Sequence, residues 1–248
     1  MRPSIGITLD WQKEGTFSKR PHHALREHYF NVVEKAGGLP FGIPYAPDRI
    51  NDYLDKVDGL VIPGGFFESP KKWYISDDGK SPYEPSPRLE FDLALIKSAL
   101  DRDIPILGIC AGMQLMGGLM GCKMTENLQE YYNTDIDHLN KKPAEEVAHY
   151  VDIKAGTLLE KITGHSRIDV NTAHREAIVE TNDSVIVNCI SEDGIIEGIE
   201  IPGKRFALGV QWHPEFFSEN ENPSFKLFKA LVTASSEKTD NLCKIAAN

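Results

Sequence analysis

The sequence predicts an α/β fold: a mostly parallel sheet with helices on both faces and antiparallel additions in the C-terminal half. Three observations predict it. Uninterrupted apolar strands alternate with helical patterns through the first half. After about Val147, short strands follow one another across turns. The chain, at 248 residues, is long enough to bury a sizeable core.

The elements follow in order. "SIGITLD" (Ser4 to Asp10) is a buried first strand, and Trp11 to His23 is a polar loop. "ALREHYFNVVEKAGG" carries helical spacing at Leu25, Tyr29, Val32, Val33 and Ala36, and Gly37-Gly38 stops it. "GIPYAP" is a short extended segment, "DRINDYLDKV" an amphipathic helix, and "DGLVIP" an apolar strand closed by Gly64-Gly65. Phe66 to Pro87 is a long irregular loop, of the kind that is often functional. "PRLEFDLALIKSALDRD" is a helix with Leu89, Leu93, Ile96 and Leu100 on one face, and "IPILGI" is the next strand. Later come the strands "HYVDI", "EAIVET", "SVIVNCI", "GIIEGIEI" and "FALGVQW" and a closing helix, "PSFKLFKALVTA". About 236–248 reads as a loosely held tail. No repeat or linker divides the chain, so residues 1–248 read as a single domain.

Composition excludes several function classes. A net charge of −10 argues against binding nucleic acid or an acidic membrane surface, both of which need basic surface. The four cysteines form no C-x-x-C pair and are sparse for a disulfide scaffold. The N-terminus lacks a charged-then-apolar signal layout, so the protein reads as cytoplasmic and reduced. Ile104 to Cys122 has no formal charge and is nominally long enough to span a bilayer. Pro105, Gln114 and five glycines make strand–turn–helix the better reading.

That stretch delivers one thiol, Cys110, between Gly108 and Gly112. A residue on a tight strand-to-helix turn sits in strained backbone, and glycines two positions away relieve the crowding. The turn lifts the sulfur clear of the sheet, close to a helix N-terminus that favours thiolate. Taken alone, G-x-C-x-G describes a buried structural cysteine about as well. A second signal is "GVQWHPEFF", where His213 and Glu215 stand two apart, so that the carboxylate can fix the imidazole tautomer. A third is Gly64-Gly65, where backbone N–H groups can approach a ligand. The N–H groups of Gly65 and Ala111 are then candidate oxyanion donors. A plain turn explains the glycine pair equally well without the rest of the pattern.

"DGLVIPGG", "PILGICAGMQ" and "GVQWHPE", in that order, resemble the class I glutamine amidotransferase superfamily. "SIGITLD", "EKAGGLPFGIP", "GTLLEKITG", "VNTAH" and "DGIIEGIE" are similar to its γ-glutamyl-γ-aminobutyrate hydrolase-like branch, within the C26 cysteine peptidases. The resemblance covers about Ser4 to Ser235 and implies a flavodoxin-like sheet and hydrolysis of a γ-glutamyl amide. It implies Cys110 as nucleophile, His213 as base and acid, Glu215 as orienting carboxylate, and Gln114 as a holder of the glutamyl group. Gly65 and Ala111 match the family's oxyanion donors.

The chain departs from the family pattern around the pocket. Phe66-Phe67 stands where an acidic residue is usual. Thr172-Ala173-His174-Arg175-Glu176-Ala177 keeps one histidine of the family's pair, and Glu126-Asn127 replaces Gln-Asp. These departures leave the leaving amine undetermined. His174 and Arg175 join Gln114 as substrate-binding candidates. Arg88 and Asp92 are weaker ones, better read as an exposed helix start. Trp73, Tyr74 and Tyr83 are candidates to cover the pocket, though a packed surface loop is the slightly better reading.

The expected chemistry needs no metal and no organic cofactor. Its partner is a small γ-glutamyl substrate, and a homo-oligomer is compatible with the sequence. Two rivals stand beside this reading. An ammonia-supplying glutaminase would need a separate synthetase partner, since none is fused in this sequence. A non-catalytic binding protein could use the same scaffold, because fold does not fix activity.

Overall fold

Apolar runs without polar alternation become the buried middle of a sheet, and the chain order determines how the helices cover it. In the computed structural model, residues 1–65, 69–76, 87–140 and 142–246 are described, with side chains to Ser236. The first half comprises β1 (Ser4–Thr8), a hairpin of β2 (Asp10–Gln12) and β3 (His22–Ala24), α1 (Glu27–Lys35), β4 (Leu39–Ile43), α2 (Ile50–Leu54) and β5 (Gly59–Ile62). It continues with α3 (Pro87–Asp101), β6 (Ile106–Ile109), α4 (Ala111–Leu119), β7 (Lys123–Thr125) and α5 (Leu128–Tyr132). The second half is β8 (His149–Ile153), α6 (Leu158–Thr163), β9 (Arg167–Val170), β10 (Ala177–Glu180), β11 (Ile186–Ser191), β12 (Ile196–Glu200), β13 (Ala207–Val210) and α7 (Pro223–Ala246).

Nine of these strands form one sheet in the order β4-β1-β5-β6-β13-β12-β11-β8-β9. The five from β4 to β13 are parallel, and the remaining neighbours pair antiparallel. The α/β class with antiparallel additions is therefore the observed one. Alternate side chains of each central strand enter different layers. Leu60, Ile62 and Ile106 pack with buried residues of α3 and α4 on one face. Val61, Leu107 and Ile109 pack with α1 and α7 on the other.

Several details differ from the sequence reading. Within the polar loop Trp11 to His23 lie parts of both strands of the β2–β3 hairpin. α6 went unread although it carries a start signal: Thr157 Oγ1 accepts from Glu160 N, and the Glu160 carboxylate accepts from Gly156 N. The edge strand β9 was also unread. α7 continues through Ala246 rather than ending near Ala234. Arg88 and Asp92 are not an exposed helix start, being 3% and 0% exposed.

Most of the Phe66–Pro87 loop, including Tyr83, lies outside the described residues. Of its aromatics, Trp73 and Tyr74 are buried. Trp73 packs over Gly118 of α4, and Tyr74 donates to Glu176 Oε2 at 2.8 Å. Ile104 to Cys122 folds as β6, a turn and α4. Among the described residues no helix is long and apolar enough to cross a membrane.

Candidate active site

Cys110 occupies the turn between β6 and α4 with φ 51° and ψ −106°, a region that residues with a side chain rarely adopt. It is 8% exposed, and its N–H donates to Val210 O at 2.8 Å, tying the turn to β13. The flanking glycines are steric necessities. A Cβ on Gly112 would stand 2.0 Å from Ile62 O, and one on Gly108 would stand 2.8 Å from the Gly112 carbonyl carbon. α4 crosses β5 and β6 so closely that only glycine fits. Because α4 is covered on every side, it is apolar or small nearly throughout.

His213 follows the end of β13, in the adjacent strand position. Its backbone is clamped twice by Asn171: His213 N donates to Oδ1 at 2.8 Å, and Nδ2 donates to His213 O at 3.0 Å. Glu215 lies in the 3₁₀ turn Pro214–Phe216. The turn, rather than strand alternation, therefore brings its Oε1 to 2.8 Å from His213 Nδ1. A carboxylate can only accept, so Nδ1 carries the proton and Nε2 is left for the thiol. The same oxygen accepts from Arg26 Nη2 at 3.1 Å, and Arg26 also donates to Tyr29 Oη at 3.2 Å.

Gly64 lies against both the ring and the cysteine: a Cβ there would meet His213 Cε1 at 2.7 Å and Cys110 Cβ at 3.3 Å. Its N–H donates to Tyr29 Oη at 3.1 Å. Gly65 has φ 139°, a conformation suited to glycine, and a Cβ on it would lie 2.2 Å from Arg88 Nη1. Arg88 holds this segment from beneath, donating to Pro63 O at 2.8 Å and Gly64 O at 3.3 Å. It also pairs with Asp10 and Asp92 at 3.0 and 3.3 Å. Ala111 opens α4, so its N–H belongs to the N-terminal set that lacks intrahelical acceptors.

The charges are coupled. Burial pushes the Cys110 thiol up, but His213 and then His174 outweigh it, so its pKa lies below the ordinary thiol value. Burial likewise pushes His213 down, yet Glu215 and Cys110 raise it to about 10. Glu215 is held below the usual carboxylate range: burial opposes this, and His213 overcomes it. The arrangement favours a thiolate–imidazolium pair beside a carboxylate.

A cleft of about 830 Å³ opens over these groups. Gly64, Gly65, Cys110, His213, Gln114, His174 and Arg175 all line it. The three substrate-binding candidates differ in what they offer. Arg175 is exposed. Gln114 donates its amide inward, to Glu176 O at 3.1 Å and Gln211 Oε1 at 3.2 Å. Both ring nitrogens of His174 face acceptors within the wall, Glu176 O at 3.0 Å and Glu197 Oε1 at 3.2 Å.

Sequence reasoning missed Arg26, Tyr29, Asn171 and Gln211. Gln211 Nε2 approaches Cys110 Sγ at 3.5 Å and sits two residues before His213, in the quoted "GVQWHPE". Arg26 and Tyr29 begin a helix whose spacing marks only its buried face.

Comparison with known proteins adds a family. The model of the peptidase C26 family matches residues 3–215. The chain is 33% identical to the glutamine amidotransferase-like protein RP404 of Rickettsia prowazekii, over 94% of this chain and 98% of that one. It is 32% identical to the γ-glutamyl-γ-aminobutyrate hydrolase PuuD of Escherichia coli K12, over 85% of each. The glutaminase domain of Trypanosoma brucei CTPS, solved with bound acivicin, superposes with a TM-score of 0.61. That match is at 16% identity over 95% of this chain and 94% of the other, a likeness of fold alone.

Proposed function

Since the chain belongs to the peptidase C26 family, we propose that this glutamine amidotransferase-like hydrolase cleaves the γ-glutamyl amide bond of a γ-glutamyl amine or peptide. The observation that carries the reading is the packing of Cys110 and His213 against the same glycine, Gly64, with Glu215 hydrogen-bonded to Nδ1 of the ring.

The Cys110 thiolate attacks the γ-carbonyl carbon, and the carbonyl electrons move to oxygen. The N–H groups of Gly65 and Ala111 stabilise that oxyanion. As the C–N bond breaks, the His213 imidazolium gives its Nε2 proton to the departing amine. A γ-glutamyl thioester remains on Cys110. Neutral His213 then takes a proton from water, whose oxygen attacks the thioester. Glutamate leaves, and the thiolate–imidazolium pair is restored. Glu215 keeps Nδ1 protonated and stabilises the ring's charge throughout. This chemistry requires no metal at the sulfur.

The cleft suits a substrate with an amino-acid end. Asp10, Glu176, Arg26 and Arg175 give its wall both signs of charge. Its volume lies in the range that holds drug-sized ligands, roughly 300–1,000 Å³, which leaves room for a leaving amine larger than ammonia. A panel of γ-glutamyl amines, γ-glutamyl peptides and glutamine, scored for glutamate release by the isolated protein, tests the reading. Release from a γ-glutamyl amine, with a mass adduct of one glutamyl unit on Cys110 after rapid quenching, is expected. Turnover of glutamine alone would favour ammonia supply to a synthetase. Ligand binding without turnover would favour a non-catalytic protein.

A further inference from the structure

Four side chains from distant segments converge behind the cleft wall. His138 follows α5, His149 begins β8, His174 lies between β9 and β10, and Glu197 is on β12. Their side chains are nearly inaccessible: 1%, 0%, 2% and 0% exposed, respectively. Burying three imidazoles around one carboxylate is costly unless something joins them.

The hydrogen bonds on the outer side of each ring fix the tautomers. His174 Nδ1 faces Glu176 O at 3.0 Å, and His149 Nδ1 faces Tyr150 O at 3.2 Å. His138 Nε2 faces Asp193 Oδ2 at 3.0 Å. Carbonyls and carboxylates only accept, so these nitrogens carry the protons. In each neutral ring the other nitrogen is then a lone pair. One oxygen lies near all three: Glu197 Oε1 is 3.2 Å from His174 Nε2, 3.5 Å from His138 Nδ1 and 3.7 Å from His149 Nε2, while Thr172 Oγ1 is a second neighbour of His138 Nδ1 at 3.4 Å.

Acceptors facing acceptors at this range need a positive charge between them. One proton could satisfy one pair and leave the others opposed. Two atoms remain orphaned: His149 Nε2 and Glu197 Oε2 are buried without any hydrogen-bond partner. The spacing also matches a known geometry. With zinc–ligand bonds of about 2.0–2.1 Å, the donor atoms of a tetrahedron stand about 3.3–3.4 Å apart. The donor atoms of His138, His174 and Glu197 all lie within 4.8 Å of one another, and His149 Nε2 stands outside that group. The outward partners of the rings, a carboxylate and two backbone carbonyls, are those that orient metal-bound histidines.

We propose that His138 Nδ1, His174 Nε2 and the Glu197 carboxylate bind one divalent cation of the zinc type. All three ligands are buried, so the cation is structural and takes no part at the sulfur. It ties β12 and the segment after α5 to the loop that carries Asn171, Arg175 and Glu176. That loop clamps the His213 backbone and lines the cleft. The sequence reading assigned no metal. No H-x-x-H or similar local spacing marks ligands that arrive from three separate segments.

The test is metal analysis of the purified full chain, followed by stripping with a chelator and titration with Co²⁺ and Zn²⁺. One metal per chain is expected, with visible Co²⁺ bands of tetrahedral intensity and a rise in melting temperature on adding Zn²⁺. The bands should lack thiolate charge transfer and persist in Cys110→Ala. They should weaken or vanish in Glu197→Gln and in His138→Gln. Failure of the stripped wild-type protein to bind either ion would overturn the proposal, whatever the folding of the variants. So would a thiolate band lost in Cys110→Ala, which would place the ion at the sulfur. Binding unchanged in both Glu197→Gln and His138→Gln would overturn it equally.

Discussion

Arg26 and His213 share a single oxygen. Oε1 of Glu215 accepts from His213 Nδ1 at 2.8 Å and from Arg26 Nη2 at 3.1 Å. The carboxylate is fully buried, while the Arg26 side chain is 49% exposed and lines the cleft. Glu215 is thus oriented from both sides, by the ring it holds and by a cation that reaches in from solvent. Removing the cation frees the carboxylate to rotate. Arg26→Ala is expected to lower kcat by about tenfold, equivalent to ~1.4 kcal/mol in the barrier. Steady-state kinetics with a γ-glutamyl amine would show it, and an unchanged kcat would remove Arg26 from this role.

Cys110 stores backbone strain as well as reactivity. Cys110→Ala and Cys110→Gly should both lose turnover by roughly 10⁴-fold or more. The two should differ in stability. Glycine adopts φ 51° freely and alanine does not, so Cys110→Gly should be the more stable by about 1 kcal/mol. Urea denaturation of the two variants side by side measures this difference without the confounding loss of the thiol.

The pH dependence follows from the coupled charges. The depressed Cys110 thiol and a His213 raised to about 10 keep the ion pair intact through neutral pH. Alkylation of Cys110 by iodoacetamide should therefore vary little near neutrality, instead of climbing toward the ordinary thiol pKa. Turnover should fall on the alkaline side as His213 loses its proton near 10. The folded value of His213 exceeds its ordinary 6.5, so its contribution to stability is complete below 6.5 and disappears as pH rises through 10. Glu215→Gln removes the largest raising influence on the ring, so the alkaline limb should move to lower pH.

Gly64 tests the geometry directly. Gly64→Ala places a methyl group 2.7 Å from His213 Cε1 and 3.3 Å from Cys110 Cβ. The His213 ring must shift to admit it. A displacement of about 1 Å can cost roughly 10²-fold in rate, and that loss is expected here with the far-ultraviolet circular dichroism unchanged. Retention of full activity would mean that the seat of the His213 ring against Gly64 does not set the rate.

Arg88 makes the largest stability prediction. It is buried beneath the Pro63–Gly65 segment and faces the fully buried Asp92. Arg88→Met strands that carboxylate, and removing one partner of a buried pair typically costs ~3–5 kcal/mol. Chemical denaturation would report it. A loss below ~1 kcal/mol would show that Asp92 is compensated from elsewhere.

The parallel half of the fold was legible because its signal is local. Val61 and Leu107 lie in apolar runs that only a doubly covered strand explains, and Gly108 is required by crowding against Gly112 and Met116, a few residues on, although Gly112 itself is required by Ile62 on a neighbouring strand. The sequence by itself also determined the chemical types available at the site: one thiol on a tight turn, one imidazole, and one carboxylate two positions beyond it. It could not decide what depends on side chains meeting across the sheet. Arg88 looks like any charged residue at a helix start until Asp10, Asp92 and the Gly64 carbonyl are seen around it. Arg26 reaches Glu215 from 189 positions away, and Asn171 grips His213 from 42. The convergence of three histidines on Glu197 likewise depends on β8 and β12 entering one sheet. Periodicity records which face of an element is buried. Tertiary structure decides which polar groups share that burial, because each must find its partner wherever the chain brings one.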